Sequence, residues 1–295
     1  MRLRQIAAIA LGLGLLVVCA YPALRVYRHF FSSPPPVPRS AYTTLRHSNG
    51  KQETRLTVQP FELRSSLLGR SLRQVLVLPD GKSEGRPLLV LLHGRSSSPG
   101  AFLGSAWLDG LAALGTKAPV LLLVNGGDHS YYHDRADGRW GSYVMHEAIP
   151  AALKRTGADS RRIAIGGISM GGFGAFDLAF QNRGVFCVVG GHSAALWRTG
   201  GETPPGAFDD AEDFDANDVI GRARSDGRAF GNTRLWLDAG DHDPFLSADK
   251  EFVRVLRENG KKITFHVWSG YHSGSYWNAH AAAYLRFYAN ALAAC

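Results

Sequence analysis

Arg162-Ile-Ala-Ile-Gly-Gly-Ile-Ser-Met-Gly-Gly-Phe-Gly-Ala-Phe-Asp-Leu-Ala-Phe180 is the stretch that decides the fold. A short apolar run, Ile163 to Ile165, leads through Gly166 into Gly167-Ile168-Ser169-Met170-Gly171-Gly172, and Phe173 to Phe180 is compatible with a helix. A strand, a sharp turn and a helix with serine at the apex form the nucleophile elbow, whose pattern is Gly-x-Ser-x-Gly. A serine hydroxyl attacks only if it projects from the tip of a tight turn, where the backbone is strained. Gly167 and Gly171 leave room for that turn and for the approach of strand to helix. Ser169 then stands at a helix N-terminus, whose free N–H groups favour developing negative charge.

Outward from the elbow, Pro87 to Leu92 is a continuous apolar run, as expected of a strand buried on both faces, and it ends in His93-Gly94-Arg95. Val120 to Val124, Val185 to Val189, Thr233 to Asp238 and Lys262 to Val267 read as further strands. Helices are predicted over Phe102 to Leu114, Tyr143 to Arg155, Phe245 to Asn259 and Ala279 to Ala293. This alternation predicts an α/β fold, a mostly parallel sheet with helices on both faces. Arg55 to Phe61 and Ser71 to Leu78 predict antiparallel N-terminal strands. The polar stretch Arg198 to Arg228 is expected as a surface insertion over the C-terminal edge of the sheet, where ligands bind in such folds.

A nucleophilic serine needs a base, and the base needs an orienting acid; in this fold they follow in the order serine, acid, histidine. Downstream lie His192, His242, His266, His272 and His280. His272 directly follows the last strand, where a loop returns to the C-terminal edge, so it is the expected base. The acid is expected in Ala239-Gly240-Asp241-His242-Asp243-Pro244-Phe245, with Asp243 preferred and Asp241 and Asp238 open. The backbone N–H groups of Met170 and Arg95 are the expected oxyanion donors, and one such donor is worth about 3 kcal/mol of transition-state stabilisation.

Leu92-His93-Gly94, the elbow, Asp243-Pro244-Phe245-Leu246, and Gly270-Tyr271-His272-Ser273 with Tyr276-Trp277 resemble the Putative esterase family. That family includes esterase D (S-formylglutathione hydrolase), feruloyl and siderophore esterases, and the antigen 85 mycolyltransferases. The likeness covers about residues 50 to 293 and implies an α/β-hydrolase fold with a Ser169, Asp243, His272 triad. The loop Gly126 to Tyr132 and the run His272 to Trp277 are more similar to the antigen 85 branch, in which the acid is a glutamate on the following helix; that points to Glu251. Asp243 fits the esterase D pattern instead, and His93 stands where antigen 85 proteins carry an aspartate.

Composition bounds the remaining readings. The 295 residues are 45% hydrophobic and 20% charged, as in a globular chain, with a net charge of +8. Arg2, Arg4, Arg25, Arg28 and Arg39 contribute five of those charges ahead of the folded region and leave +3 with acids and bases interspersed, so no nucleic-acid partner is expected. A basic start followed by nearly apolar Ile6 to Leu24 predicts a signal anchor or signal peptide over 1–24, with lipidation at Cys19 as a third option. Prolines 34, 35, 36 and 38 mark a linker over 25–41, and the catalytic domain is expected over 42–295. Cys187 is expected as a buried free thiol, with a Cys187–Cys295 bridge left open but unsupported by any pattern in the sequence.

Together these observations predict an extracytoplasmic serine esterase without metal or cofactor, attached to the membrane through its N-terminal segment or secreted. It would act on a small-molecule or glycolipid ester. Two other readings share the fold, an acyltransferase moving an acyl chain to a sugar or envelope alcohol and a non-catalytic surface binder. Asp128, His129, His133 and Asp134 present an i, i+4 histidine pair that raises a metal-dependent alternative, although a loop lining the site mouth accounts for that stretch better. Tyr131 and Tyr132 are candidates for an acyl or sugar subsite. Trp140, Trp197, Trp268 and Trp277 read as core or rim aromatics.

Overall fold

Leu88–Leu92 (β4) and Val120–Val124 (β5) are apolar at every position, and each forms a strand buried at every residue. The computed structural model describes Val37 and residues 43–48, 53–226, 228 and 230–295. Ahead of β4 come Thr43–Ser48 (β1), Glu53–Arg64 (β2) and Ser71–Pro79 (β3). After β5 follow a small hairpin of Asp134–Arg135 (β6) and Gly138–Arg139 (β7), then Ile163–Ile168 (β8), Val188–His192 (β9), Arg234–Gly240 (β10) and Ile263–Trp268 (β11). Among the described residues the helices are Ser105–Ala112 (α1), Trp140–Tyr143 (α2), Ile149–Thr156 (α3), Met170–Gln181 (α4), Ala211–Ala216 (α5), Val219–Ser225 (α6), Leu246–Glu258 (α7) and Gly274–Leu292 (α8). A π turn at Val144–Ala148 joins α2 to α3.

Nine strands form one sheet in the order β1-β2-β3-β5-β4-β8-β9-β10-β11. β1, β2, β3 and β5 pair antiparallel in succession. From β5 through β4, β8, β9 and β10 to β11 every pairing is parallel. This is the α/β-hydrolase arrangement with antiparallel N-terminal strands. The chain leaves β4 towards β5 on one side and then crosses to β8 on the other, so the strand order reverses between β4 and β8. Loops diverge at such a switch point and open a crevice at the C-terminal ends of the strands. The loop after β4 carries Gly94 and Arg95, and the turn after β8 carries Ser169.

Side chains alternate between the two faces with the period of a strand. Leu88, Val90 and Leu92 pack with α4 and α7 through Phe173, Phe176 and Phe252. Leu89 and Leu91 pack with Trp107 and Leu111 of α1 and Leu285 of α8.

Several boundaries differ from the sequence reading, three of them for a clear local reason. The β9 strand is shifted three residues downstream because Gly190 and Gly191, which carry no apolar signal, belong to it. Helix α8 starts five residues earlier, at Gly274, because the Ser273 side chain caps it by accepting the Tyr276 N–H. Helix α1 stops at Ala112, before Gly115 at φ 56°.

The insertion forms two short helices capped by Asp210 and Asp218. It docks through Arg135–Asp209 (3.0 Å), His133–Asp213 (3.0 Å) and Arg222–Asp177 (3.3 Å). Phe208 and Phe214 carry its apolar contact into a ring cluster with Tyr131, Phe173 and Trp197.

Cys187 is not a free thiol. It is bonded to Cys295, with Cα atoms 6.2 Å apart, inside the range that a disulfide spans. The closing helix brings the chain end back to the residue before β9, a consequence of packing that no local pattern near either cysteine encodes. Among the described residues no helix is long and apolar enough to cross a membrane. The segment 1–24 and, apart from Val37, the linker 25–41 lie outside the described residues. The bridge closes a separation of 108 residues, and chain-entropy arguments assign such a loop about 5 kcal/mol. Replacing both cysteines by alanine should lower the unfolding free energy in urea by about that amount; an unchanged midpoint would contradict a stabilising bridge.

Candidate active site

Ser169 sits at φ 54° and ψ −115°, outside the regions a non-glycine residue ordinarily adopts, a conformation that costs about 1–3 kcal/mol. Surrounding backbone bonds hold it there. Its N–H donates to the His192 carbonyl, and its own carbonyl accepts from Phe173 and Ala195, each at 3.0 Å. A Cβ on Gly171 would overlap the Leu92 carbonyl, and one on Gly167 would overlap the Gly171 backbone. The pattern thus specifies how closely the elbow approaches β4.

Ser169 Oγ lies 2.8 Å from His272 Nε2, and His272 Nδ1 lies 2.9 Å from Asp243 Oδ2. The second Asp243 oxygen accepts the Phe245 N–H at 2.9 Å, and the Asp243 side chain is fully buried. The rings of Phe245 and Trp277 flank the imidazole edge-on, each 5.1 Å away. The other acid candidates are engaged elsewhere. Asp241 accepts the Gly270 N–H and binds His242, which ties the acid loop to the histidine loop. Asp238 is bonded to His192. Glu251 is held on α7 by Arg254 and then Arg224, whose hydrogen bonds keep its carboxyl at about 2, well below the usual range.

Met170 is the first residue of α4, so its N–H has no partner within the helix. Gly94 faces Ser169 closely, since a Cβ added there would stand 3.5 Å from the serine Cβ; Arg95 follows it. His93 braces this turn from below. Its Nε2 accepts the Gly126 N–H at 3.1 Å, so the proton resides on Nδ1, which donates to the Gly94 carbonyl at 2.8 Å. The Tyr132 hydroxyl donates to the His93 carbonyl at 3.1 Å. Burial pushes the His93 imidazole down to about 4, so it stays neutral through the physiological range.

The family described as Putative esterase matches residues 65–288. The chain belongs to the Putative esterase family. None of the curated proteins compared matches it. Among solved structures it is similar to a ferulic acid esterase, at 23% identity and TM-score 0.69, covering 80% of this chain and 98% of that one. It is likewise similar to the S-formylglutathione hydrolase of Agrobacterium tumefaciens, at 16% identity and TM-score 0.69, covering 86% and 100%. Mycobacterium tuberculosis MPT51 matches at 18% identity and TM-score 0.62, covering 80% and 98%. At these identities the likeness speaks to the fold.

Beneath the nucleophile this esterase-family chain carries a second histidine–aspartate pair that sequence reasoning did not single out. His192 Nδ1 lies 2.7 Å from Asp238 Oδ1, and its Nε2 lies 3.0 Å from the Tyr288 hydroxyl. Trp236, Tyr276 and Tyr284 also donate to Asp238, at 2.7, 3.0 and 2.8 Å. The Tyr288 hydroxyl occupies the space that side chains on Gly166 and Gly190 would fill. Those two glycines in adjacent strands were the available signal.

Tyr132 is fully buried in its bond to His93 and lines no subsite. Tyr131 stands in the ring cluster at φ 51°. The four residues of the metal alternative do not converge: Asp128 turns to His129, His133 binds Asp213, and Asp134 accepts from Ser142. No group of three or more metal-ligating side chains gathers among the described residues.

Between its ordinary value of 6.5 and about 4, the unfolded chain protonates His93 while the folded chain does not. The imidazole's contribution is therefore complete above 6.5 and is lost as pH falls through 4. Asp177, pushed up to about 6 by burial, has the opposite sign, because its contribution is present at low pH and lost as pH rises through 6. Comparison with His93→Gln isolates the imidazole. Between pH 7 and 4.5 the native protein should lose about 2 kcal/mol more stability than the variant; parallel curves in urea unfolding would refute the assignment.

Proposed function

We propose that this chain is an exported serine esterase that cleaves carboxylic esters through an acyl-enzyme. The observation that carries the reading is the hydrogen-bonded line Ser169–His272–Asp243 at the strand-order reversal of an esterase-family sheet. In this mechanism His272 Nε2 takes the Ser169 proton as Oγ attacks the acyl carbonyl. Asp243 holds the Nδ1 proton and stabilises the imidazolium. The negative oxygen is met by the N–H groups of Met170 and Arg95, which are in place before the reaction and need no reorganisation. Collapse expels the alcohol, protonated by His272. A water then repeats the sequence in reverse and frees Ser169.

Export is supported by two independent features. One is the basic and apolar start over 1–24; the other is the Cys187–Cys295 bridge, since such bonds persist in oxidising compartments.

A fluorophosphonate should label Ser169, and Ser169→Ala should abolish both labelling and turnover of p-nitrophenyl esters. An unlabelled serine with no turnover would favour the surface-binder reading. Acylated acceptor accumulating when glycerol or a sugar is present would favour transfer over hydrolysis. Asp243→Asn should lower kcat by about 10⁴, whereas Glu251→Gln should leave it within about threefold, as for a surface ion pair. The reverse ranking would move the acid to Glu251.

A further inference from the structure

Arg95 has a side chain whose position the proposed chemistry does not use. It leaves the loop after β4 one residue beyond Gly94, the residue facing Ser169, and it is half-buried. Its guanidinium shares a hydrogen bond with the Tyr131 hydroxyl, and Nη2 reaches the Pro205 carbonyl at 3.5 Å, the long limit of such a contact. Tyr131 lies on the loop after β5 and Pro205 on the insertion. The group therefore sits where three segments around the nucleophile meet.

A guanidinium offers five N–H donors in a planar fork, and both contacts here are neutral oxygens. No carboxylate forms an ion pair with Arg95 among the described residues. Asp128, whose carbonyl accepts the Ser96 N–H, directs its side chain to His129 instead. Other arginines of the same surface are satisfied: Arg135 by Asp209, Arg198 by Glu202 and Arg222 by Asp177. A partly desolvated cation without a counter-charge is costly, and the same desolvation strengthens its attraction for an anion that docks beside it. The fork matches a carboxylate in two parallel hydrogen bonds.

We propose that the Arg95 side chain recognises a carboxylate on the substrate, so that the preferred esters carry a negative charge close to the scissile bond. The inference rests on the esterase reading for its location and on the unpaired guanidinium for its chemistry.

Two matched pairs of esters test it with the full-length protein. Mono-p-nitrophenyl adipate against p-nitrophenyl hexanoate places the charge on the acyl half. 4-Acetoxybenzoate against its methyl ester places it on the alcohol half. In at least one pair the charged member should show a kcat/KM about tenfold higher or more, carried by KM, as a charge-assisted bidentate contact implies. That ratio should shrink as salt is raised. Arg95→Met should collapse the ratio to about one, whatever it does to the absolute rates, and Arg95→Lys should retain part of it. Equal turnover of charged and neutral partners in the native protein, or a ratio that survives Arg95→Met, would overturn the proposal. If no ester is turned over and Ser169 takes no label, the esterase reading fails on its own. Calorimetric titration with adipate and with 4-hydroxybenzoate then decides Arg95. Binding of either that Arg95→Met weakens about tenfold supports the carboxylate site, and absence of binding refutes it.

Discussion

The contact between the elbow and the end of β4 sets the geometry of everything around it. Gly171 lies against the Leu92 carbonyl so closely that no side chain fits between them. This places the N-terminus of α4 beside the loop that carries Gly94 and Arg95. Two loops far apart in sequence thereby face one point, and the strain at Ser169 is offset by three backbone hydrogen bonds, one to the end of β9, one from the loop after it and one from α4. Preorganisation of this kind makes donors effective because they need not move when charge develops. His93 extends the same logic one layer down. A neutral imidazole, donating to Gly94 and accepting from Gly126, locks the loop after β4 to the loop after β5.

Under the elbow a buried carboxyl plays the corresponding part for the other half of the site. Asp238 gathers His192, Trp236, Tyr276 and Tyr284, and His192 in turn reaches Tyr288. Removing one partner from a buried hydrogen-bonded group leaves the other desolvated and unsatisfied, at about 1–3 kcal/mol, so this hub ties α8 tightly to the sheet. The residues that flank His272 inherit that rigidity. Trp277, which lies edge-on to the imidazole, donates to Ser193, and the Ser193 N–H is itself bonded to the Asp238 carbonyl. The line through Ser169, His272 and Asp243 is thus joined to this polar layer through Trp277 and Ser193.

Much of this was legible from residue type and spacing. β4 and β5 announce themselves because both faces are buried, and the elbow because only glycine tolerates its contacts. His272 and the loop that carries Asp243 follow from chain order in such folds, which leaves Asp241 and Asp238 open beside Asp243. What escaped detection depends on partners distant in sequence. The Cys187–Cys295 bond joins residues whose neighbours carry no sign of each other. Tyr132 reads as a mouth residue by its aromatic, polar surroundings, yet its hydroxyl is spent inside on His93. The β9 boundary was misplaced because Gly190 and Gly191 bear no apolar side chain, the very property that admits Tyr288. Asp238 differs from Asp243 by its contacts, and those exist only once β9 and α8 are in place.

The order of these parts along the chain has a consequence for how the molecule is made. Tyr276, Tyr284 and Tyr288 complete the Asp238 layer, and Cys295 closes the bridge to Cys187, all within the last twenty residues. Until residues 276–295 are made, a nascent chain holds the sheet strands and the serine but lacks the layer that steadies them. The nucleophile is synthesised well before the helix that steadies its surroundings, so Ser169 and its brace are assembled in succession rather than together. A chain shortened by even a single turn at this end would lose its covalent clasp while retaining every residue of the Ser169 line.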